Sequence, residues 1–395
     1  MQDACLSPYN TLSIGDRQKG QRITVYDTTL RDGEQMPGLS FSLEDKVKIA
    51  QALCDAGLPE IEAGFPAVSE REASAVKTIA GMRTGAKVLA LCRVCMEDVD
   101  RCADCDVDMA LLFVATSDLH MKHKYGWSRE EVIQRSVEAM EYARERGVRY
   151  SFSTEDSTRS RLDLLIELAK VADGLGAERI GLTDTVGCAT PEAVAYLVSE
   201  VRRCTSKPIS VHLHNDLGLA LANALNALGA GATAFATTVN GIGERAGNLS
   251  LAEFAFASSF VMGAVHGIEL SKMCALSELV SRISRIPVPP TKPLVGENAF
   301  AHESGIHVGA VLRCPLTYEP VAPGIVGNRR RLLMGKHTGR ALVLRQIEEH
   351  GLSLPTQEMD AVLSEIKALG EENGSVSERE FWQIIERVRN AHGPP

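Results

Sequence analysis

Short β-branched or apolar runs alternate along the chain with longer stretches of helical periodicity. Eight candidate strands read ITVYD (23–27), EIEAGF (60–65), KVLALC (87–92), MALLFV (109–114), YSFSTE (150–155), RIGLTD (179–184), ISVHLH (209–214) and AFATTV (234–239). Helix-like segments such as SLEDKVKIAQALCDAG, SREEVIQRSVEAMEYARERG and LGLALANALNALGAG follow them. Several open with Ser or Thr. Ser69 has Glu72 at capping-box spacing, Ser42 is followed by Glu44 in the first turn, and Thr190-Pro191 puts proline at the first helical position. Gly57, Gly147, Gly176 and Gly229 stand where these segments should stop. Eight β–α units over about 260 residues have the size and alternation of a TIM barrel. A doubly wound open sheet alternates the same way, so the number of units carries the assignment.

Beyond residue 270 the alternation stops. SKMCALSELVSRIS leads into IPVPPTKP, which can be neither helix nor central strand. Three more helices are predicted around Gly339–His350, Thr356–Leu369 and Ser377–His392, the last with Glu380 at capping-box spacing. The expected organisation is a catalytic barrel over 22–270, then a linker and mainly helical C-terminal subdomain over 271–395. This small appended region is expected to be unable to bury its apolar face alone, which makes docking on a second barrel reasonable.

Composition narrows the class. Apolar residues make up 45% and charged residues 24%, the balance of an ordinary globular protein. Lys and Arg number 42 against 51 Asp and Glu, a formal net charge of −9, with no basic block to suggest nucleic acid. No apolar run is long enough for a membrane span. The opening MQDACLSPYNTLSIGDRQKG lacks the charged-then-apolar build of an export signal, so a cytoplasmic protein with reduced thiols is expected. Among ten cysteines, Cys92, Cys95, Cys102 and Cys105 form a paired CxxC cluster, normally a zinc signal. The gap between the pairs is short and the pairs fall on a strand end and a helix, so free, partly buried thiols are the expected reading.

The candidate chemistry collects where strands end, which is where barrel enzymes build their sites. The first strand runs directly into Asp27-Thr-Thr-Leu-Arg31-Asp32-Gly33-Glu34, placing a guanidinium and acids at the rim. The seventh ends in His212-Leu-His214; residues two apart on a strand share a face, so both imidazoles point the same way. An HxH pair alone is weak evidence, but with Asp32 at the matching level it predicts a divalent-metal site. The fifth strand ends in Glu155-Asp156, the sixth in Asp184-Thr185, and the eighth leads to Asn240-Gly-Ile-Gly-Glu-Arg245-Ala-Gly-Asn248. One rim carboxylate would most simply serve a loop salt bridge; five converging strand ends argue for a site. The glycines read as close backbone approach rather than a dinucleotide fingerprint.

The stretches DTTLRDGEQMPG (27–38), EIEAGFPA (60–67), FSTEDSTRS (152–160), TDTVGCATP (183–191), HLHNDLGLALANAL (212–225) and NGIGERAGN (240–248) resemble the acetyl-CoA-dependent 2-isopropylmalate and homocitrate synthase family of the DRE-TIM metallolyases. FAHESGIHVGAVL (300–312), TYEP (317–320) and GKHTGR (335–340) extend the resemblance past the linker. It implies a transferase of amino-acid biosynthesis that condenses acetyl-CoA with a 2-oxo acid and hydrolyses the thioester. It implies metal ligands at Asp32, His212 and His214, with Asn248 as a further ligand or water-mediated contact, for Mg, Mn or Zn. Arg31 and Glu155 match catalytic positions, Arg31 also binding the 2-oxo group, and Thr185 matches a substrate contact. His307 and Tyr318 match catalytic positions near the acetyl-CoA methyl, contributed by the partner subunit of a homodimer with composite sites.

The resemblance leaves the 2-oxo acid to details. Substrate-reading positions on strands four and five hold Leu111 and Ser151. TDTVGCATP leans towards homocitrate synthases, GFPA and ATSDLHMKHK towards isopropylmalate synthases. At 395 residues, a regulatory domain like that of the latter is not expected. The expectation is 2-oxoglutarate to homocitrate, with His120 or Lys122 helping Ser151 hold the second carboxylate. The alternatives are 2-isopropylmalate, citramalate or phosphonomethylmalate synthase-type activity, a related hydroxyacyl-CoA lyase, or a non-catalytic metabolite-binding protein.

Overall fold

The computed structural model describes residues 4–14 and 18–391. Among them one compact unit falls within Pro8–Val288 and a second within Pro289–Pro395 and Met1–Ser7. The first is a closed barrel of eight parallel strands in sequence order: β1 (Thr24–Asp27), β2 (Glu60–Gly64), β3 (Lys87–Arg93), β4 (Met109–Ala115), β5 (Tyr150–Glu155), β6 (Ile180–Asp184), β7 (Ile209–Leu213) and β8 (Ala234–Thr237). Every predicted strand is present, with ends displaced by no more than two residues. Closure is made by β1 on β8, with Thr24 opposite Ala234 and Asp27 opposite Thr237. Because neighbours in the ring are neighbours in sequence, the ends of β1, β7 and β8 share one side of the mouth. Those of β3, β4 and β5 lie across from them.

The helices between strands form for local reasons. Ser42 and Asp45 make a reciprocal capping box at the start of Leu43–Asp55, and Ser128 does the same with Glu131 for Arg129–Glu145. At Ser69 only half of the box forms. Its hydroxyl accepts from the Glu72 amide at 3.1 Å, but the Glu72 carboxylate turns inward to Lys46 and to the amide of Phe65. Lys46 is almost fully buried, and its ammonium also meets Glu34 at 2.7 Å and the Leu30 carbonyl at 3.2 Å. A buried ammonium needs such partners, and a capping carboxylate is spent on it. The expected stop at Gly229 is displaced: Gly229 ends the helix Ala220–Gly229 and Gly231 takes the positive φ of +108°.

The barrel interior is packed by Tyr26, Leu89, Leu91, Met109, Leu111, Ala234 and Ala236, a floor beneath the mouth. Below it Arg179 pairs with Glu60 at 2.5 Å, both buried, and stacks over Tyr26 at 5.1 Å. The cysteines of the CxxC cluster are free, and the thiols of Cys92, Cys102 and Cys105 reach backbone carbonyls of Arg93, Leu91 and Ala73.

The second unit contains a two-stranded parallel pair, Ala301–His302 with Arg331–Leu332, and helices Gly305–Arg313, Arg340–Glu349, Thr356–Asn373 and Glu378–Ala391. The predicted end of the last helix, His392, lies outside the described residues. The expectation that this region lacks a core of its own is corrected. Val308, Leu342, Val343, Ile347, Val362, Ile366, Phe381, Ile384 and Val388 are buried together. The apolar faces of its long helices are turned on one another.

Candidate active site

The turn after β1 carries Arg31 and Asp32 to the mouth of the barrel. It is folded back by the Arg31 and Gly33 amides, which both donate to the Thr28 carbonyl. Across the β1–β8 closure, β7 delivers His212, and the backbone continues as an isolated bridge between His214 and Asn248. Asp32 Oδ2 lies 3.4 Å from His212 Nε2 and 3.9 Å from His214 Nε2, and the two imidazole nitrogens are 3.2 Å apart. Donors about 2.0–2.2 Å from a shared ion and near 90–110° apart are separated by roughly 3.0–3.6 Å, so this triangle has the dimensions of one face of a coordination shell.

The surroundings fit a cation. Burial, and then the neighbouring His212, hold the His214 imidazole down at about 3, so it is neutral and able to ligate. Burial alone would push the Asp32 carboxyl up, but the Arg31 charge and His212 outweigh it and keep it well below the usual carboxylate range. Asn248 donates through Nδ2 to Asp32 Oδ1 at 2.6 Å and to the Ile242 carbonyl at 3.2 Å. Its Oδ1 and the Nδ1 of His214 are buried without a hydrogen-bond partner. An unpaired buried oxygen beside two nitrogen donors and an ionised carboxylate is the donor set a divalent ion satisfies. The turn glycines have the role expected of them. A Cβ on Gly243, at φ +153°, would stand 2.1 Å from Asn248 Nδ2 and 2.9 Å from Asp32 Oδ1, so only a bare backbone can pass there.

Arg31 is clamped on two sides. Its Nε and Nη2 donate to the two oxygens of Glu62 at 2.6 and 3.1 Å, and Nη1 donates to Asp32 at 2.5 Å. Glu62, at the centre of β2 and fully buried, is a site residue the sequence reading missed. The only signal was a second acid, two residues after Glu60 and so on the same face, inside a buried strand. Two of the five guanidinium N–H groups remain for a ligand.

One cavity of about 270 Å³ joins these groups. Arg31, Asp32, His212 and His214 line one side, with Thr183 beside His212 in the β6–β7 register and Thr185 just beyond it, while Leu91, Leu111 and Phe113 from β3 and β4, with Lys124, Ser153 and Glu155, face them. Leu111 and Thr185 therefore stand in the lining. Ser151 does not: it is buried beside Leu111, and Ser153, one residue pair nearer the rim, takes the place expected of it. The cation beside Glu155 is Lys124 rather than Lys122, with His120 Nδ1 at 3.6 Å. Behind Glu155 the backbone turns sharply. Asp156 adopts φ +62°, donates its amide to Thr185 Oγ1 at 2.8 Å, and accepts from Ser117 and Arg159. Such strained conformations persist where surrounding contacts enforce them.

In the second unit the rings of His307 and Tyr318 stack with centroids 4.0 Å apart, so two residues eleven positions apart meet. Next to Tyr318, Glu319 is buried and accepts from both Arg330 Nε and Nη2 at 2.6 Å, with His302 at 3.2 Å.

The chain is similar to known proteins along most of its length. Residues 22–280 match the HMGL-like family, and residues 294–374 match a homocitrate synthase post-HMGL domain-like region. A homocitrate synthase AksA of Methanothermobacter thermautotrophicus is 44% identical over 97% of this chain and 98% of its own length. A 2-isopropylmalate synthase of Methanocaldococcus jannaschii is 44% identical over 93% of this chain and 72% of its own length. Among solved structures, a hydroxymethylglutaryl-CoA lyase from Pseudomonas aeruginosa superposes with a TM-score of 0.62 at 20% identity, over 69% of this chain and 96% of that one. At that identity the likeness is one of fold, the barrel.

Proposed function

The chain belongs to the HMGL-like family, in its homocitrate synthase and 2-isopropylmalate synthase branch, and on that premise we propose that it condenses acetyl-CoA with a 2-oxo acid and releases free CoA. The observation that carries the reading is the Asp32–His212–His214 triangle with Arg31 clamped beside it in one cavity. A divalent ion, Mg, Mn or Zn, held by those three residues with Asn248 beside them, supplies polarisation of a bound 2-oxo group.

The chain's own groups account for the remaining steps. Arg31 directs its two free N–H groups at the 2-oxo oxygen and stabilises the negative charge that oxygen gains. Its orientation is fixed in advance by Glu62, so little reorganisation is needed. A base removes one proton from the acetyl methyl, and the resulting carbon nucleophile forms the new bond to the 2-oxo carbon. The protonated base returns its proton to the new alkoxide and water then cleaves the thioester, leaving a 2-hydroxy acid and CoA. Glu155, directed at the cavity by the Asp156 turn, serves this proton traffic. His307 and Tyr318, stacked together, supply the base region from the partner subunit of a homodimer. Ile306, beside His307, and Tyr318 expose 79% and 43% of their surfaces, which supports docking of this face. No described helix is long and apolar enough to cross a membrane. Free cysteines throughout the chain favour a reducing, cytoplasmic setting.

For the acid we favour 2-oxoglutarate, giving homocitrate. It is supported by the homocitrate synthase relative matched along nearly all of both chains, and by hydroxyls of Ser153, Thr183 and Thr185 able to donate to a second carboxylate. A branched 2-oxo acid such as 2-oxoisovalerate is the second reading. It is favoured because Leu91, Leu111 and Phe113 are apolar and each cavity cation already meets a carboxylate: Arg31 with Glu62, Lys124 with Glu155, Arg245 with Asp216. Thiol release with 2-oxoglutarate, 2-oxoisovalerate, pyruvate, oxaloacetate and phosphonopyruvate, with product masses, tests both. A strong preference for 2-oxoisovalerate overturns the homocitrate reading, and turnover of none of the five overturns the condensation itself.

A further inference from the structure

We propose that Lys124 is a positioning residue for Glu155, holding its carboxylate in the orientation from which it acts. The inference rests on the reading of Glu155 as a catalytic group given above. Lys124 lies in the loop after β4, on one π-helical turn, Met121–Tyr125, closed by Gly126 at φ +69°. A π turn is rare and is found frequently at functional sites. Here it brings Lys124 Nζ to 2.8 and 2.6 Å from the two Glu155 oxygens, so both oxygens carry a charge-assisted hydrogen bond.

The ammonium is itself held. It sits 5.8 Å from the centroid of Phe113, on β4, and 5.4 Å from that of Tyr125, on the π turn. Tyr125 stacks on Trp127 at 4.3 Å, and Arg135 covers the far ring at 4.4 Å. Phe113 meets Phe65 edge-on at 6.5 Å. One aromatic wall therefore belongs to the barrel and the other to the loop, which fixes the cation relative to both. His120, the other cationic candidate, has its Nδ1 3.6 Å from Glu155, beyond hydrogen-bonding range, and that nitrogen has no partner. Lys124 alone makes side-chain hydrogen bonds to this carboxylate among the described residues.

Why the carboxylate needs such a clamp follows from its reach. The Asp156 turn fixes the Glu155 backbone, but three side-chain torsions remain beyond it. Proton transfer requires the oxygen within a few tenths of an ångström of its working place, and a misplacement near 1 Å can cost about 10²-fold in rate. Lys124 removes that freedom.

The test compares Lys124→Met, which keeps a long apolar stem over Phe113 and Tyr125, with Lys124→Arg, Glu155→Gln and the Lys124→Met/Glu155→Gln double variant. Expected for Lys124→Met are a kcat about 10²-fold lower with every accepted 2-oxo acid, little change in KM, and unaltered melting temperature and metal content. Lys124→Arg should recover part of kcat. In the double variant Lys124→Met should add no loss to that of Glu155→Gln, since it acts through that group. If Glu155→Gln is inactive while Lys124→Met turns over like the unmodified enzyme, the proposal fails and the reading of Glu155 stands. Independent, additive losses also overturn it. So does a loss confined to 2-oxoglutarate, which would make Lys124 a substrate contact. A fully active Glu155→Gln overturns the reading of Glu155 and the proposal with it.

Discussion

Asp27 ends β1 fully buried, five residues before Asp32, and burial pushes its carboxyl up to about 7 from an ordinary 3.8. Its Oδ1 accepts from the Thr29 amide at 2.8 Å, while Oδ2 has no partner. The folded protein therefore holds a proton on Asp27 up to neutral pH, and the unfolded chain releases it near pH 4. Between those values the native state binds more protons, so this group's contribution to stability is fully present below pH 4. It is lost as pH rises towards 7, at about 1.4 kcal/mol per pH unit. The whole window amounts to the order of 4 kcal/mol. Asp27→Asn is isosteric, can still accept from Thr29, and is neutral at every pH. It should match the unmodified protein near pH 4, exceed it progressively up to about pH 7, and keep that lead unchanged at pH 8. The midpoint difference at pH 7 should be about 8–16 °C, taking roughly 2–4 °C per kcal/mol for a unit of this size. Melting curves of both proteins at pH 5, 6, 7 and 8 provide the measurement, and taking their difference cancels groups common to both. A difference that stays flat with pH would refute the buried protonated carboxyl.

His212→Ala and His214→Ala should each abolish turnover and sharply lower metal content after dialysis while unfolding remains cooperative; full metal occupancy with activity would remove the site. Glu62→Gln should keep the fold and the bound metal but lower kcat about 10²–10³-fold by releasing Arg31 from its bidentate clamp, and steady-state kinetics with unchanged kcat would show that the clamp does not matter. Mixing Arg31→Ala with His307→Ala under subunit exchange should restore part of the activity, since one of the two sites in a heterodimer would then be intact; heterodimers that form and stay inactive would put both residues in one chain's site.

Alternation and count were enough to read a closed eight-stranded barrel from the sequence, because each strand's side-chain period and each helix's capping residues are local properties. Position two apart on one strand likewise placed His212 and His214 on one face, and the end of the first strand placed Asp32 within their reach once the fold was a barrel. What binds to what across the ring was another matter. Glu62 against Arg31, Lys124 against Glu155, Glu72 drawn off its cap by Lys46 and Glu60 against Arg179 join residues 26 to 119 positions apart. Such pairings depend on strand register and on how loops settle over the mouth. A shift of two residues exchanges one inward layer for the next, as Ser153 in the cavity wall and Ser151 beneath it demonstrate. The helical C-terminal region makes the same point in its core: each helix carries an apolar stripe legible by periodicity, but only their packing together shows that the stripes cover one another. Charge follows the same division. Sequence identifies a carboxyl, while burial and the groups around it decide whether it is ionised: Asp32 sits beside a guanidinium and Asp27 does not, and so the two stand on opposite sides of the ordinary range.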